Sequence, residues 1–128
     1  LGAWWRERTG LPLPLGANAV RRDLVERLGA AAAADLAGLL RRSVEHAMDH
    51  REDSIEVAMG FARGLEPELA GRFVEMYVNR WTLDYGPEGR RAVGRLLGEA
   101  AEAGLVPPIA EVDFLGPEGM VREAVAGV

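Results

Sequence analysis

Leucine and proline alternate through residues 11–15, LPLPL, and glycine follows at position 16. Each proline lacks a backbone N–H and holds φ near about −65°, so the run is extended, cannot enter a helix and cannot donate to a neighbouring strand from Pro12 or Pro14. A chain with such a run places it at a sheet edge or across the gap between two packed units. Gly16 stands where the backbone needs positive φ or a close approach to another group, and residues 17–20 resume as strand before Arg21, Arg22 and Asp23 turn to solvent. A stiff, extended passage of this kind suits the crossing between two lobes.

The rest of the chain carries helical spacing. In residues 31–48, Leu36, Leu39, Leu40, Ala47 and Met48 form one stripe with Arg41, Arg42 and Glu45 facing away, after a permissive run of alanines. In residues 52–65, Ile55, Met59 and Ala62 recur at the same period, with Asp49 or Asp53 as cap and Gly64 near the stop. Pro67 fits the first turn of a third helix whose face is Leu69, Phe73, Met76 and Tyr77. Short connections make these three helices neighbours. Residues 78–86 (VNRWTLDYG) break the period and read as a packed loop. Pro87 opens a fourth helix with the stripe Ala92, Val93, Leu96, Leu97 and Ala100; Gly104 stops it, with Leu105 supplying the hydrophobic contact of such ends. Residues 109–115 are expected as a short strand and residues 120–125 as a weak final helix.

Composition narrows the function classes. A chain of 128 residues with 48% hydrophobic and 27% charged content is one globular unit. It has no cysteine, which excludes disulfides, thiolate metal sites and a cysteine nucleophile. All 15 basic residues are arginine, so no Schiff-base lysine exists either. A net charge of −5 runs against general nucleic-acid binding. No apolar run approaches the roughly 18 residues that span a bilayer.

The chemistry visible in the residues is thin. His46 and His50 stand four apart on a helix, a spacing open to a shared metal, but no third ligand accompanies them, and the favoured reading is two polar-face imidazoles near the negative end of a helix. The pairs Arg21/Arg22, Arg41/Arg42 and Arg90/Arg91 read as solvated ion-pairing residues rather than an anion site. Glu7 and Asp23 read as surface carboxylates, and Trp4, Trp5 and Trp81 as packing aromatics before ligand-stacking ones.

Three stretches together point further. Residues 1–24 (LGAWWRERTGLPLPLGANAVRRDL), residues 73–93 (FVEMYVNRWTLDYGPEGRRAV) and the AGLVP ending at Pro107 closely resemble, in order, the C-terminal part of the 1,4-dihydroxy-6-naphthoate synthase family of the futalosine route to menaquinone. The PLPLG run favours this family over the sister chorismate dehydratases. The resemblance runs to about Pro107 and leaves the tail after Pro108 unmatched. Members are about twice this length, at the upper end of ordinary domain sizes, so the resemblance implies a fragment. It implies an α/β fold, the C-terminal portion of a two-lobed architecture like type II periplasmic binding proteins, mostly helical within this chain. Residues 1–20 would end the second lobe and form the interlobe crossing strand, residues 21–115 the helical part of the first lobe, and residues 116–128 a tail.

The implied activity is that of a cytoplasmic carbon–carbon lyase converting cyclic dehypoxanthine futalosine to 1,4-dihydroxy-6-naphthoate without cofactor or metal. The implied partner is that small molecule, with no nucleic acid and no membrane. The family's catalytic histidine would lie upstream of Leu1, leaving no catalytic residue here. Pro14, Leu15 and Gly16 become substrate-binding candidates by position, since a crossing strand borders the cleft between lobes. Alternatives are a solute-binding receptor of the same architecture, the sister dehydratase, and a free-standing helical interaction domain.

Overall fold

The structure, a computed structural model, describes residues 1–61 and 67–125. Helix α1 spans Gly2–Thr9 and ends on Gly10, whose φ of 72° lets its N–H reach the Arg6 carbonyl at 2.8 Å. The Thr9 hydroxyl donates to the Trp5 carbonyl (2.8 Å) and accepts from the Leu11 N–H (3.1 Å), welding the helix end to the proline run. The sequence pattern had placed only an end of a lobe and a crossing strand in residues 1–20, and this helix is an addition.

Residues 11–20 are irregular and pair with no strand among the described residues. The prolines explain half of that, by withholding donors. The other half is the lack of a neighbouring strand to receive the segment. Gly16 does not have positive φ, contrary to expectation; Gly10, Gly29, Gly86, Gly104 and Gly119 do.

Helix α2, Arg22–Leu28, was not expected. Gly29, with φ of 83°, separates it from α3, Ala30–Asp49, which matches the expected helix within a residue or so. The expected stripe on α3 is corrected. The buried positions are Ala33 and Gly38, while Leu39 and Leu40 are exposed. Small residues win that face because the C-terminal hairpin comes close: a Cβ on Gly38 would lie 3.8 Å from Pro117.

Helix α4 is Arg51–Met59, shorter than expected, and the end of the expected helix at residues 62–65 lies outside the described residues. Helix α5, Pro67–Tyr77, begins on the expected proline; the Phe73 side chain assigned to its face lies outside the description. The expected loop over residues 78–86 contains a short helix, α6, Arg80–Leu83. Asn79 makes it possible: its side-chain oxygen accepts from the Trp81 N–H at 3.0 Å, while the Thr82 hydroxyl accepts from the Asn79 N–H at 3.1 Å.

Helix α7, Gly86–Glu102, buries Gly89, Ala92 and Gly98 and half-buries Val93, Leu96, Leu97 and Ala100, as the stripe requires. Gly104, at φ 70°, ends it, and the Leu105 N–H returns to the Ala100 carbonyl at 2.9 Å. The Leu105 side chain is 78% exposed, so the expected hydrophobic contact is not made.

The chain closes on an antiparallel hairpin, β1 Glu111–Gly116 and β2 Gly119–Ala124, pairing Phe114 with Val121 and Leu115 with Met120. The first strand was expected; the second replaces the expected weak helix over residues 120–125. A six-residue helix nucleates poorly, whereas Gly119 at φ 114° turns the chain back onto a ready ladder. The hairpin lies against α3 and α7, and the Val125 N–H extends the pairing to the Ala110 carbonyl at 2.9 Å. Trp5, Ala33, Ala92 and Val125 are the buried hydrophobic residues among those described.

Candidate functional site

Two polar contacts tie the proline run to α1: the Leu11 N–H donates to the Thr9 hydroxyl at 3.1 Å, and the Trp5 indole N–H donates to the Pro12 carbonyl at 3.2 Å. Trp5 is 4% exposed, and residues 11–14 are half-buried. Beyond Pro14 the segment opens to solvent. Leu15 is 59% exposed and Gly16 has no atom within 4 Å of where a Cβ would stand. Pro14, Leu15 and Gly16 thus form a continuous piece of chain that offers two apolar side chains and backbone carbonyls. They can wall a cavity; they hold no acid or base.

The remaining sequence candidates do not converge on this segment. His46 and His50 stack at 4.1 Å between ring centroids, and the His50 Nδ1 lies 3.0 Å from the His46 carbonyl, at the C-terminal end of α3. Imidazoles there meet the negative end of the helix. Among the described residues no group of three or more histidine and carboxylate side chains is arranged to hold a metal. A shallow recess beside them is lined by residues 49–53, and a second one on α4 by Glu52, Ile55, Glu56 and Met59; both are open to solvent.

The arginines are largely occupied with carboxylates. Arg21 grips Asp23 through two bonds of 2.9 and 2.8 Å, Arg41 reaches Glu45 at 2.9 Å, and Arg90 reaches Glu123 at 2.8 Å. Asp23 is therefore an ion-pair partner and Glu7 an exposed side chain, as their surface reading had it. Trp4 is 54% exposed with Arg8 over its ring, and Trp81 carries Arg80 at 4.3 Å.

Sequence reasoning missed the polar hub of the fold. Asp113 on β1 receives Arg122 of β2 at 2.6 Å and Arg22 of α2 at 2.7 Å. Hydrogen bonding to Arg122, then to Arg22, holds its carboxyl below the ordinary value. The signal was absent because the three residues meet only after the hairpin folds back. Tyr85, packed edge-on to Phe114 at 5.6 Å, has its hydroxyl pushed upward by burial. Neither group touches the proline run, and both serve the framework.

Among the described residues no helix is long and apolar enough to cross a membrane. Residues 1–102 match the family described as menaquinone biosynthesis. Over 108 residues the chain is 50% identical to a protein of Thermus thermophilus named 1,4-dihydroxy-6-naphthoate synthase, covering 84% of this chain and 38% of that one. A protein of the same name from Streptomyces coelicolor is 40% identical over 120 residues, 94% of this chain and 39% of its own length. A match of that extent reaches past Pro108 into the hairpin, so the tail has a counterpart, contrary to expectation. The chain spans under two-fifths of the length of these relatives, and by its match over residues 1–102 it belongs to the menaquinone biosynthesis family.

Proposed function

We propose that the chain is the C-terminal part of a cytoplasmic 1,4-dihydroxy-6-naphthoate synthase, a lyase that cleaves a carbon–carbon bond of cyclic dehypoxanthine futalosine. The observation that carries this reading is the 50% identity to a protein of that name over most of this chain. The proline run supports it structurally, because an extended segment bound on one side by Trp5 and open on the other suits a crossing between two lobes. On this reading the fold of the whole is two-lobed, like type II periplasmic binding proteins.

The reaction needs a base, a conjugated system to accept the electron pair, and a closed cleft that excludes water. The chain contributes to the last of these. Pro14, Leu15 and Gly16 form part of the cleft wall, Leu15 offers an apolar face to a bicyclic ring, and α1 with Trp5 keeps the wall in place. The base lies in another part of the protein. Loss of a general base costs about 10²- to 10⁴-fold in rate, so the purified chain should show no turnover of the cyclic substrate, while a chimera joining it to the part of the Thermus relative that it does not match should release dihydroxynaphthoate. Turnover by the chain alone at the rate of an intact relative rejects the reading, as does a folded chimera without activity.

A further inference from the structure

The proline run and the residues after it are fixed at their two ends. At the near end the Leu11 N–H meets the Thr9 hydroxyl at 3.1 Å, and the Trp5 indole meets the Pro12 carbonyl at 3.2 Å. Residues 13–20 form no hydrogen bond with the described residues, and residues 15–20 are exposed. At the far end the chain enters α2 through Arg21, whose carbonyl accepts from the Leu24 and Val25 N–H groups at 3.1 and 3.2 Å. A chain anchored at one end sweeps a volume, whereas one anchored at both ends has far fewer courses open to it. The setting of α2 therefore bears directly on where Pro14, Leu15 and Gly16 run.

Helix α2 is weakly set by its own packing. It has seven residues, too few for an isolated helix to be stable, and buries none of them fully; Leu24 and Val25 are half-buried. It lies against α3, as the hairpin does. Arg22 bridges the two, its guanidinium 2.7 Å from the Asp113 carboxylate. Asp113 is a fixed acceptor. It stands opposite Arg122 in the antiparallel ladder, receives that guanidinium through bonds of 2.6 and 3.3 Å, and has a side chain only 13% exposed. The neighbouring Arg21 gives its guanidinium to Asp23 of the same helix and so ties α2 to no other element among the described residues.

We propose that Arg22 and Asp113 are positioning residues for the cleft: their ion pair clamps the far end of the crossing and so keeps Pro14, Leu15 and Gly16 against the bound ring. The inference rests on the function proposed above. Neither side chain touches the substrate. Asp113 acts through Arg22, and Arg22 acts through the backbone of α2. An ion pair can shift the equilibrium between a placed and a displaced wall only by its own worth, which for a partly exposed pair is a factor of about two to five. The effect falls on binding rather than on the chemical step, since a wall meets the ring in the ground state and the transition state alike.

The test has two arms. The chain contains no cysteine, so a pair of spin labels can be placed cleanly. Gly16→Cys has nothing within 4 Å of its Cβ, and Leu39→Cys stands at a 58% exposed position on α3. The distance distribution between the labels should broaden in Arg22→Gln and keep its parent width in Arg21→Gln. Both variants should melt within about 4 °C of the parent, because Arg122 still holds Asp113. In the chimera, Arg22→Gln should weaken binding of the dihydroxynaphthoate product and raise KM, each by about two- to fivefold, and leave kcat unchanged. Arg21→Gln should do neither. In a Leu15→Ala background the loss caused by Arg22→Gln should shrink, since the side chain it places is gone.

Unchanged label distributions overturn the inference, as do unchanged product affinity in Arg22→Gln, equal losses in Arg21→Gln, or losses additive with Leu15→Ala. A much larger fall in melting temperature also overturns it, making the pair a prop for the fold. A parent chimera that neither binds the product nor turns over the cyclic substrate rejects the proposed function and the inference with it. A parent chimera that does both, matched in product affinity and KM by Arg22→Gln, rejects the inference alone.

Discussion

The Trp5 indole N–H and the Pro12 carbonyl, 3.2 Å apart, join the first helix to the proline run across seven residues of chain. The proline run has no strand partner among the described residues, and this bond and the one from the Leu11 N–H to the Thr9 hydroxyl tie it to α1. Two substitutions separate the parts. Trp5→Phe removes the hydrogen bond and should cost about 1–2 kcal/mol, whereas Trp5→Ala also opens a cavity and should cost about 3–5 kcal/mol. Urea unfolding of both variants measures the difference; equal costs would mean that the ring adds nothing beyond its N–H, and a Trp5→Phe as stable as the parent would mean that the N–H contributes nothing.

Two glycines on α7 should respond differently to alanine. A Cβ on Gly89 would come within 3.1 Å of the Tyr85 Cβ and 3.2 Å of the Trp81 ring, whereas one on Gly94 meets only the Ala124 carbonyl at 3.8 Å. Gly94→Ala should stabilise by about 0.5–1 kcal/mol through helix propensity. Gly89→Ala gains the same propensity but forces Trp81 and Tyr85 apart, at about 1–3 kcal/mol of overpacking, and should be neutral or destabilising. Thermal melting in parallel decides it, and stabilisation of both to the same degree would show that the aromatic lid yields freely.

Asp113 predicts an acid limb. Its carboxyl is held below the ordinary 3.8 by hydrogen bonds from Arg122 and Arg22. A group whose folded value is depressed contributes stability fully above its unfolded value and loses it as the pH falls through the folded one. The stability of the parent chain should therefore fall as the pH drops below about 4, in proportion to that contribution. Asp113→Asn should be less stable at neutral pH and show a flatter limb. Melting temperatures taken from pH 6 down to pH 2 give the comparison, and parallel limbs would mean that the triad does not couple to folding.

The elements readable from the sequence were those set by local chemistry: the long amphipathic helices, the proline starts of α5 and α7, the glycine stop at Gly104 and the strand ahead of Gly116. What escaped depended on distant partners. The burial of Ala33 and Gly38 instead of Leu39 follows from the approach of a hairpin some 80 residues away in sequence. Residues 120–125 have no strong preference of their own and became a strand because Glu111–Gly116 was there to pair with. The Asn79–Thr82 cap was not picked out, because its surroundings of aromatic and β-branched residues read as a packed loop and concealed a four-residue helix. The candidate wall at Pro14, Leu15 and Gly16 was legible only through the proline pattern and family resemblance, since none of its residues carries distinctive chemistry.

His46 and His50 should be dispensable for turnover. Their rings stack on each other at the end of α3, and no third ligand completes a metal site among the described residues. The double variant His46→Gln with His50→Gln, built into the chimera, should keep turnover of the cyclic substrate within about twofold, since a lost general base would cost at least 10²-fold. A drop of that larger size with an unchanged melting temperature would move the catalytic base into this chain.

Gly16 gives the sharpest test of the cleft wall, because the structure removes the usual reason for a glycine there. Its φ is not positive and nothing lies within 4 Å of a Cβ. Gly16→Val should therefore fold as well as the parent, with a melting temperature changed by about 2 °C at most, and in the chain alone it should have no other consequence. In the chimera the isopropyl group would project from the extended segment beside Leu15, where a bicyclic ring is expected to lie. Binding of the dihydroxynaphthoate product should weaken by about tenfold, the effect of a misfitting group in a close-packed pocket. Leu15→Ala should weaken it less, by removing apolar contact without adding bulk. Product titrations followed by fluorescence, with melting curves on the same samples, separate the outcomes. Unchanged product affinity in both variants would take Pro14, Leu15 and Gly16 out of the site and leave the proline run as a spacer between packed units.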